Sequence, residues 1–472
     1  MAKAHFGLIG LGVMGENLVL NAERNGFSSV VYNRTTSKTD EFLAGRGAGK
    51  QIVGAATLEE FVASLERPRR ILMMIKAGPA IDAVIDQLDP LLEEGDLLID
   101  GGNSLYTDTE RRVARLESRS FGYIGMGVSG GAKGALEGPS MMPGGTKASY
   151  DAIESLVTTM AAQVEDGPCV TYIGPGGAGH FVKTVHNGIE YGIEQVLAEA
   201  YDLMKRIGGL SGSAMADVFA HWNSTEELAS YLVEITEVCL RRRDDDGTDL
   251  VEAIVDQAGQ KGTGLWTVIS SLEMGVPVPT IYAALNARVM SSLRPQRQIA
   301  EGILQGPGPV EASVLGDPAA GMAPLMDACV LACMASYAQG MALMQEASSL
   351  HSYNLHMPSI AQIWKGGCII RARLLKRIQD AYNTDPSLAN LLIDPWFADQ
   401  VNRRLPSLAA VVAAASRSGI PVPCLSSSLD YINSYRTARL PQNLVQAMRD
   451  CFGAHTYQRV DKEGTFHTEW LD

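Results

Sequence analysis

Ala4-His5-Phe6-Gly7-Leu8-Ile9-Gly10-Leu11-Gly12-Val13-Met14-Gly15 reads as a short apolar strand running into a GxGxxG turn, and Glu16 to Asn25 continues with the periodicity of a helix. The glycines of such a turn have separate jobs: a tight bend, close approach of backbone to a pyrophosphate, and close packing of helix on strand. The phosphate charge then faces the helix N-terminus. GxGxxG alone is a weak signal. Between a strand and a helix it gains weight, and the next strand, Ser29-Val30-Val31-Tyr32, begins where a βαβ unit would put it.

Working outward, Asn33-Arg34-Thr35 follows that second strand. NAD sites usually place a carboxylate there, which accepts hydrogen bonds from the ribose hydroxyls and repels a 2′-phosphate. Arg34 can instead form a bidentate pair with a 2′-phosphate, and Thr35 can add a hydroxyl, so NADP is the expected cofactor. Further strands are expected at Ile71 to Ile75, Leu97 to Asp100 and Tyr123 to Gly125, alternating with helical patterns. After Gly174-Pro175-Gly176-Gly177 the strand signals fade and long helical stretches dominate. The expected fold class is therefore α/β, a doubly wound Rossmann-type domain over residues 1–176, followed by a large all-α domain over 177–435 and a C-terminal tail over 436–472. That tail is polar, and is read either as frayed or as packing on a neighbouring subunit.

Composition narrows the function classes. The 472 residues are 46% hydrophobic, enough for two or three domains with a large core. Against 53 acidic residues stand 39 basic ones, a net charge of −14 that argues against nucleic acid as a partner and requires local cationic clusters for an anionic substrate. Seven cysteines without a CxxC pair suggest reduced thiols, and Cys169, Cys239, Cys333 and Cys368 are read as small core residues. No metal-ligand spacing appears among the eight histidines. The chain enters a strand almost at once, without a basic region and apolar run, so a cytoplasmic location is expected. Ala323 to Met344 is the most membrane-like segment, but Asp327, Ser336 and Gln339 within it favour a buried helix over a span, and no membrane partner is expected.

The chemistry is expected in Gly179-His180-Phe181-Val182-Lys183-Thr184-Val185-His186-Asn187-Gly188-Ile189-Glu190-Tyr191. On a helix, Lys183, His186, Asn187, Glu190 and Tyr191 recur at steps of three and four and share a face, while Phe181, Val182, Val185 and Ile189 pack. An exposed salt-bridged helix would use Lys and Glu freely, but would rarely interleave them with His, Asn and Tyr on one stripe. Asp100-Gly101-Gly102-Asn103-Ser104 and Gly127-Val128-Ser129-Gly130-Gly131 both follow strands and should line the crevice beyond the strand ends. Gln260-Lys261-Gly262-Thr263-Gly264 offers a cation and a hydroxyl suited to a phosphate.

These motifs resemble one family over essentially the whole chain, decarboxylating 6-phosphogluconate dehydrogenase. The likeness lies in GLGVMG, YNRT, Ile75-Lys76-Ala77-Gly78, GGNS, VSGG, Gly138 to Gly145, the Lys183 stretch, QKGTG, Ser291 to Arg297, Ile363 to Arg371 and Arg449 to Tyr457. The resemblance implies oxidation of 6-phosphogluconate at C3 by NADP, then loss of CO2 to give ribulose 5-phosphate. Gly10, Leu11, Gly12, Val13, Met14, Gly15, Asn33, Arg34, Thr35, Ile75, Lys76, Ala77 and Asn103 would hold the cofactor. Lys183 would be the base at the C3 hydroxyl and Glu190 the acid that protonates the enediol at C1. Asn103, Ser129, Gly130, Gly131, His186 and Asn187 would hold the sugar acid, and Tyr191, Lys261, Thr263 and Arg288 would surround its phosphate. Arg449 and His455 match residues that reach the site from the partner subunit's tail, which would make a homodimer the active unit.

A β-keto acid decarboxylates readily once its carbonyl is polarised, so the implied reaction needs no metal. The demand on Lys183 is large: moving its pKa from about 10.4 to about 7.5 costs about 4 kcal/mol. A Lys183 that stays charged and only binds the carboxylate is the other reading. Departures from the family pattern are Gly12 for a common Ala, Ala132 and Lys133 for two acidic residues, Leu136 and Glu137 for Arg and an aromatic, Leu265 for Lys and Lys365 for Arg. A related dehydrogenase of small unphosphorylated acids would not need Lys261, Arg288, Arg449 and His455 together, and a silent NADP-binding sensor would not need Lys183 with Glu190.

Overall fold

The computed structural model describes residues 3–308 and 312–471. Its main sheet has seven strands: β1 Phe6–Ile9, β2 Ser29–Tyr32, β3 Ile52–Gly54, β4 Arg70–Met73, β5 Leu97–Asp100, β6 Gly122–Ser129 and β7 Ser140–Gly145. They lie in the order β3-β2-β1-β4-β5-β6-β7. The first six pair in parallel, and β7 pairs antiparallel to β6, with Val128 opposite Met141 and Ser129 opposite Ser140. Alternate residues of the same strands feed opposite faces. Phe6, Leu8, Leu97 and Ile99 join one core, while Ile9, Leu98, Ile71 and Met73 join the other. Burial on both faces is what makes these strands read as short apolar runs rather than as alternating ones.

Several boundaries differ from the sequence reading. The first helix is Val13–Arg24, so it starts three residues before Glu16; the Glu16 amide already donates to the Gly12 carbonyl at 3.0 Å. Strand β4 ends at Met73, where its pairing with Ile9 and with Asp100 ends, and Ile75 passes into the following turn. Strand β6 runs on to Ser129 because β7, which had no strand signal of its own in the glycine-rich GPSMMPGG stretch, supplies a partner along its second half.

After a short two-stranded hairpin, Gln163–Val164 with Gly167–Pro168, the regular elements of the described chain are helices. The helix Ala178–Arg206 begins directly after the glycine run and packs on β6 and β7. Residues 174–177 are tied to the sheet region: the Gly145 amide donates to the Gly174 carbonyl at 3.0 Å, and the Gly177 amide to Glu110 at 2.8 Å. The helix Ala323–Leu350 has the length and hydropathy of a membrane span, yet 83% of its most apolar window is buried inside the protein, against Ala178–Arg206 and Pro395–Arg417. All seven cysteines are free thiols; Cys239 is exposed rather than a core residue, because its side of the helix Tyr231–Arg241 borders an open cavity.

The chain divides into one compact unit through Ser428 and a second from Leu429. The boundary falls inside the helix Pro423–Tyr435, earlier than the expected start of the tail at residue 436. Considered by itself, the second unit is ordered rather than frayed. Its helix Gln442–Gly453 carries Asp450, fully buried, whose carboxylate accepts from the Thr456 amide at 2.8 Å, His467 Nδ1 at 2.9 Å, the Thr468 amide at 3.0 Å and Trp470 Nε1 at 2.8 Å. Burial acts to raise the Asp450 pKa, but these donors win and hold it well below the usual carboxylate range. One carboxylate thus ties the residues after the helix back onto it.

Candidate active site

The Lys183 helix reaches the sheet closely because glycine stands opposite it. A Cβ at Gly127 of β6 would lie 2.3 Å from Lys183 Cβ, so any side chain there would push the helix outward. The stripe expected from spacing is real: Lys183, His186, Asn187 and Tyr191 are buried, and the Glu190 side chain is 20% exposed. Lys183 Nζ donates to Asn187 Oδ1 at 2.7 Å and stands 3.4 Å from His186 Nδ1. His186 Nε2 lies 3.3 Å from Ser129 Oγ, and its Nδ1 lies 3.7 Å from Glu190 Oε2. Asn187 Nδ2 donates to Thr263 Oγ1 at 3.0 Å. Three elements distant in sequence therefore meet around Lys183.

Burial sets the proton affinities of this group. It pushes the Lys183 ammonium below its ordinary value, against the opposing influence of Glu190 and the Cys368 thiol. It pushes the Glu190 carboxyl up to about 7, helped by the charge of Glu194 and opposed by Lys183 and Arg288. His186 is held well below the usual imidazole range by burial and by Lys183, so it is neutral. Burial thus weakens the proton affinity of the lysine and strengthens that of the carboxyl beside it, the opposite shifts that a base and an acid require.

The glycine turn opens on a cavity of about 390 Å3, lined by Gly10, Leu11, Gly12, Asn33, Arg34, Thr35, Lys38, Ile75 and Lys76 among others. Gly10 has φ +102°, and a Cβ on Gly15 would lie 2.0 Å from the Gly10 carbonyl oxygen. A Cβ at Gly12 would meet nothing within 4 Å, so the alanine common in the family would fit there too. Asn33 Oδ1 accepts from the Leu11 amide at 3.1 Å, joining the first two strand ends. Val13 is exposed at the start of the first helix, Met14 packs on the sheet core, and Ala77 continues the turn begun by Ile75 and Lys76. Arg34, exposed at the cavity mouth, and the two lysines make the positive end that a dinucleotide with an extra phosphate requires.

Asn103 is exposed after β5, while Gly130 and Gly131 lead from β6 into the helix Gly131–Glu137. Lys133 and Glu137 on that helix face solvent. The Arg288 guanidinium carbon sits 3.5 Å from the centre of the Tyr191 ring, and Lys261 is exposed at the head of the helix Thr263–Glu273. Arg449 and His455 belong to the second unit, where both are exposed and Arg449 Nη1 donates to Gln446 at 3.0 Å.

Sequence reasoning missed residues that brace the site. Arg112, fully buried, donates to the Gly78 carbonyl at 3.0 Å and to Asp82 at 2.9 and 3.0 Å, and lies 3.5 Å from Asp100. Asp100 in turn accepts from the Gly102 amide at 3.0 Å, Ser104 Oγ at 2.6 Å and Tyr123 Oη at 3.1 Å. The turns carrying Lys76 and Asn103 thus hang on one guanidinium. His180, quoted only as part of the Lys183 stretch, joins Thr109 Oγ1 at 2.7 Å to the Asp100 carbonyl at 3.1 Å. Trp364 sets its ring edge-on to His186, with centroids 5.5 Å apart. Lys38 had a usable signal, one helical turn beyond Arg34; Arg112 had none, since an arginine in a charged helix looks solvated.

A parallel sheet that carries a glycine-turn cavity and directs its strand ends toward a buried lysine on the following long helix defines a dinucleotide-dependent dehydrogenase. Two family models match the chain: the NAD binding domain of 6-phosphogluconate dehydrogenase over residues 5–174, and the 6-phosphogluconate dehydrogenase C-terminal domain over residues 179–470. The chain belongs to the 6-phosphogluconate dehydrogenase family. It is 59% identical to the decarboxylating 6-phosphogluconate dehydrogenase of Synechococcus elongatus and 49% identical to the NADP(+)-dependent decarboxylating enzyme of Bacillus subtilis, in each case over 100% of both chains. It also superimposes on the 6-phosphogluconate dehydrogenase of Plasmodium falciparum with a TM-score of 0.93 at 43% identity, covering 99% of this chain and 100% of that one.

Proposed function

We infer that this protein oxidises 6-phosphogluconate at C3 with NADP and releases CO2, giving ribulose 5-phosphate. The observation that carries the assignment of roles is the buried array of Lys183, Asn187, His186 and Glu190, with its opposite shifts of proton affinity. NADP, when bound, takes up the hydride from C3. Gly10 to Gly15, Asn33, Arg34, Thr35, Ile75, Lys76, Ala77 and Asn103 hold it, with Arg34 and Lys38 facing its 2′-phosphate.

Lys183, neutral, accepts the C3 hydroxyl proton; as an ammonium it then polarises the C3 carbonyl while the carboxylate leaves as CO2. Asn187 Oδ1 keeps Nζ aimed, and neutral His186 can donate to the sugar without adding charge. Glu190 delivers the proton to C1 of the enediol. Asn103, Ser129, Gly130 and Gly131 complete the sugar-acid contacts, and Tyr191, Lys261, Thr263 and Arg288 face the phosphate. Arg449 and His455 act from the tail of a second subunit in a homodimer. Seven free thiols suit a cytoplasmic enzyme.

The direct test mixes the purified protein with 6-phosphogluconate and NADP without added metal and follows reduced cofactor and CO2 together. Equal amounts of both are expected, whereas reduced cofactor without CO2 would mean a plain hydroxyacid dehydrogenase. Arg34→Asp should reverse cofactor choice, lowering kcat/KM with NADP about a hundredfold relative to NAD, since a bidentate pair is exchanged for charge repulsion. Unchanged preference in steady-state kinetics would remove Arg34 from the 2′-phosphate site.

Glu190 must be protonated to act as an acid. With its pKa at about 7, activity should fall as pH rises through that value. Glu190→Gln should lower kcat about a hundredfold and abolish this limb of the pH profile. A limb that persists near pH 7 in the variant would belong to another group.

A further inference from the structure

Arg288, on the helix Pro279–Ser292, is already occupied. Its Nη1 donates to the Gly259 carbonyl at 3.0 Å, and its Nη2 donates to the Glu194 carboxylate. The Tyr191 ring covers the guanidinium face at 3.5 Å from its carbon, which keeps the group from swinging away. Glu194 stands one helical turn beyond Glu190. It lies at the edge of a cavity of about 470 Å3 whose walls include Leu197, Leu232, Ile235 and Val251. Arg288, Tyr201 and Cys239 line the same cavity, Arg288 as its cation, and the Glu194 charge is felt by Glu190 one turn back.

We propose that Glu194 is an internal counter-ion on the phosphate-binding guanidinium, against which the substrate's phosphate must compete, and so is a specificity-determining residue. This rests on the reading of Arg288 as a phosphate ligand. A guanidinium has more N–H donors than the two bonds use, so Arg288 can still receive a phosphate along its remaining edge. That phosphate then lies within a few ångströms of the Glu194 carboxylate, where like charges repel strongly in a partly buried site. An anion that makes no other contacts is turned away. A sugar acid phosphate, also held through its carboxylate and hydroxyls at Lys183, Asn187 and Ser129, tolerates the penalty. Glu194 also acts on the acid of the reaction, because its charge raises the neighbouring Glu190.

Inorganic sulfate, dianionic across the working pH range, is the probe. Glu194→Gln keeps a hydrogen-bond acceptor for Arg288 and removes the charge. In competition against 6-phosphogluconate, the inhibition constant for sulfate should fall about tenfold in this variant, and KM for 6-phosphogluconate should fall less than that. A gain of affinity for a bare dianion cannot come from damaged packing. An unchanged or weakened sulfate inhibition in Glu194→Gln would overturn the proposal. Arg288→Gln separates the two readings: it should weaken both sulfate and 6-phosphogluconate. If it weakens neither, the phosphate role of Arg288 fails first, and the competition proposed for Glu194 falls with it.

Discussion

Replacing Lys183 by methionine is expected to lower kcat about a thousandfold while leaving the affinity for NADP within about threefold. Methionine matches the lysine stem in length and suits a site where Lys183 is 5% exposed, so packing is retained and only the amine is lost. Burial has weakened the proton affinity of the amine, and Asn187 Oδ1 aims its nitrogen at 2.7 Å. His186, neutral and turned toward Ser129, does not replace it. Steady-state turnover together with NADP titration of the same preparation measures the split. Near-normal kcat would remove Lys183 from the proton transfer and leave it as a binder of the carboxylate.

Arg112→Leu should destabilise the first compact unit by about 3–5 kcal/mol, because it strips the cation from a buried cluster and leaves Asp100 fully buried without it. The same change frees the Gly78 carbonyl and the start of the helix Pro79–Leu88, so KM for NADP should rise as well. The hydrogen bond from Arg112 is the main cause holding the Asp82 carboxyl below the usual carboxylate range, with Arg111 adding to it against a burial penalty. A depressed carboxylate pKa stabilises the fold above the unfolded value, 3.8, and that contribution is lost as pH falls through the lower folded value. The stability gap between wild type and variant should therefore be widest above about pH 4 and shrink below it. Urea unfolding at neutral and acid pH reads both effects, and a gap that does not narrow in acid would place the loss elsewhere.

Much of the site was legible in the chain because it is local. The three- and four-residue steps from Lys183 to Tyr191 need only a helix to become one face, and the glycine turn needs only a strand before it and a helix after it. Motif likeness then supplied the chemistry, and the family match over residues 5–174 and 179–470 bears out the family and the cofactor class. Less was legible where partners are remote. Arg112 meets Asp82 and Gly78 from about thirty residues away, and Arg288 meets Glu194 from 94 residues away. Their sequence surroundings are those of ordinary surface charges.

The amino-acid sequence by itself determined the alternation of strands and helices, the glycine turn, the Arg34 signal for a ribose 2′-phosphate, and which side chains stand together on the Lys183 helix. All of these follow from periodicity and backbone preference over a few residues. The tertiary structure alone decided that β7 returns antiparallel, that Asp450 orders the last residues, that Glu194 stands on Arg288, and that Lys183 is starved of water while Glu190 holds its proton up to about 7. Proton affinity and ion pairing depend on what excludes solvent and which charge lies within a few ångströms. Those neighbours come from distant parts of the chain, and only packing brings them together.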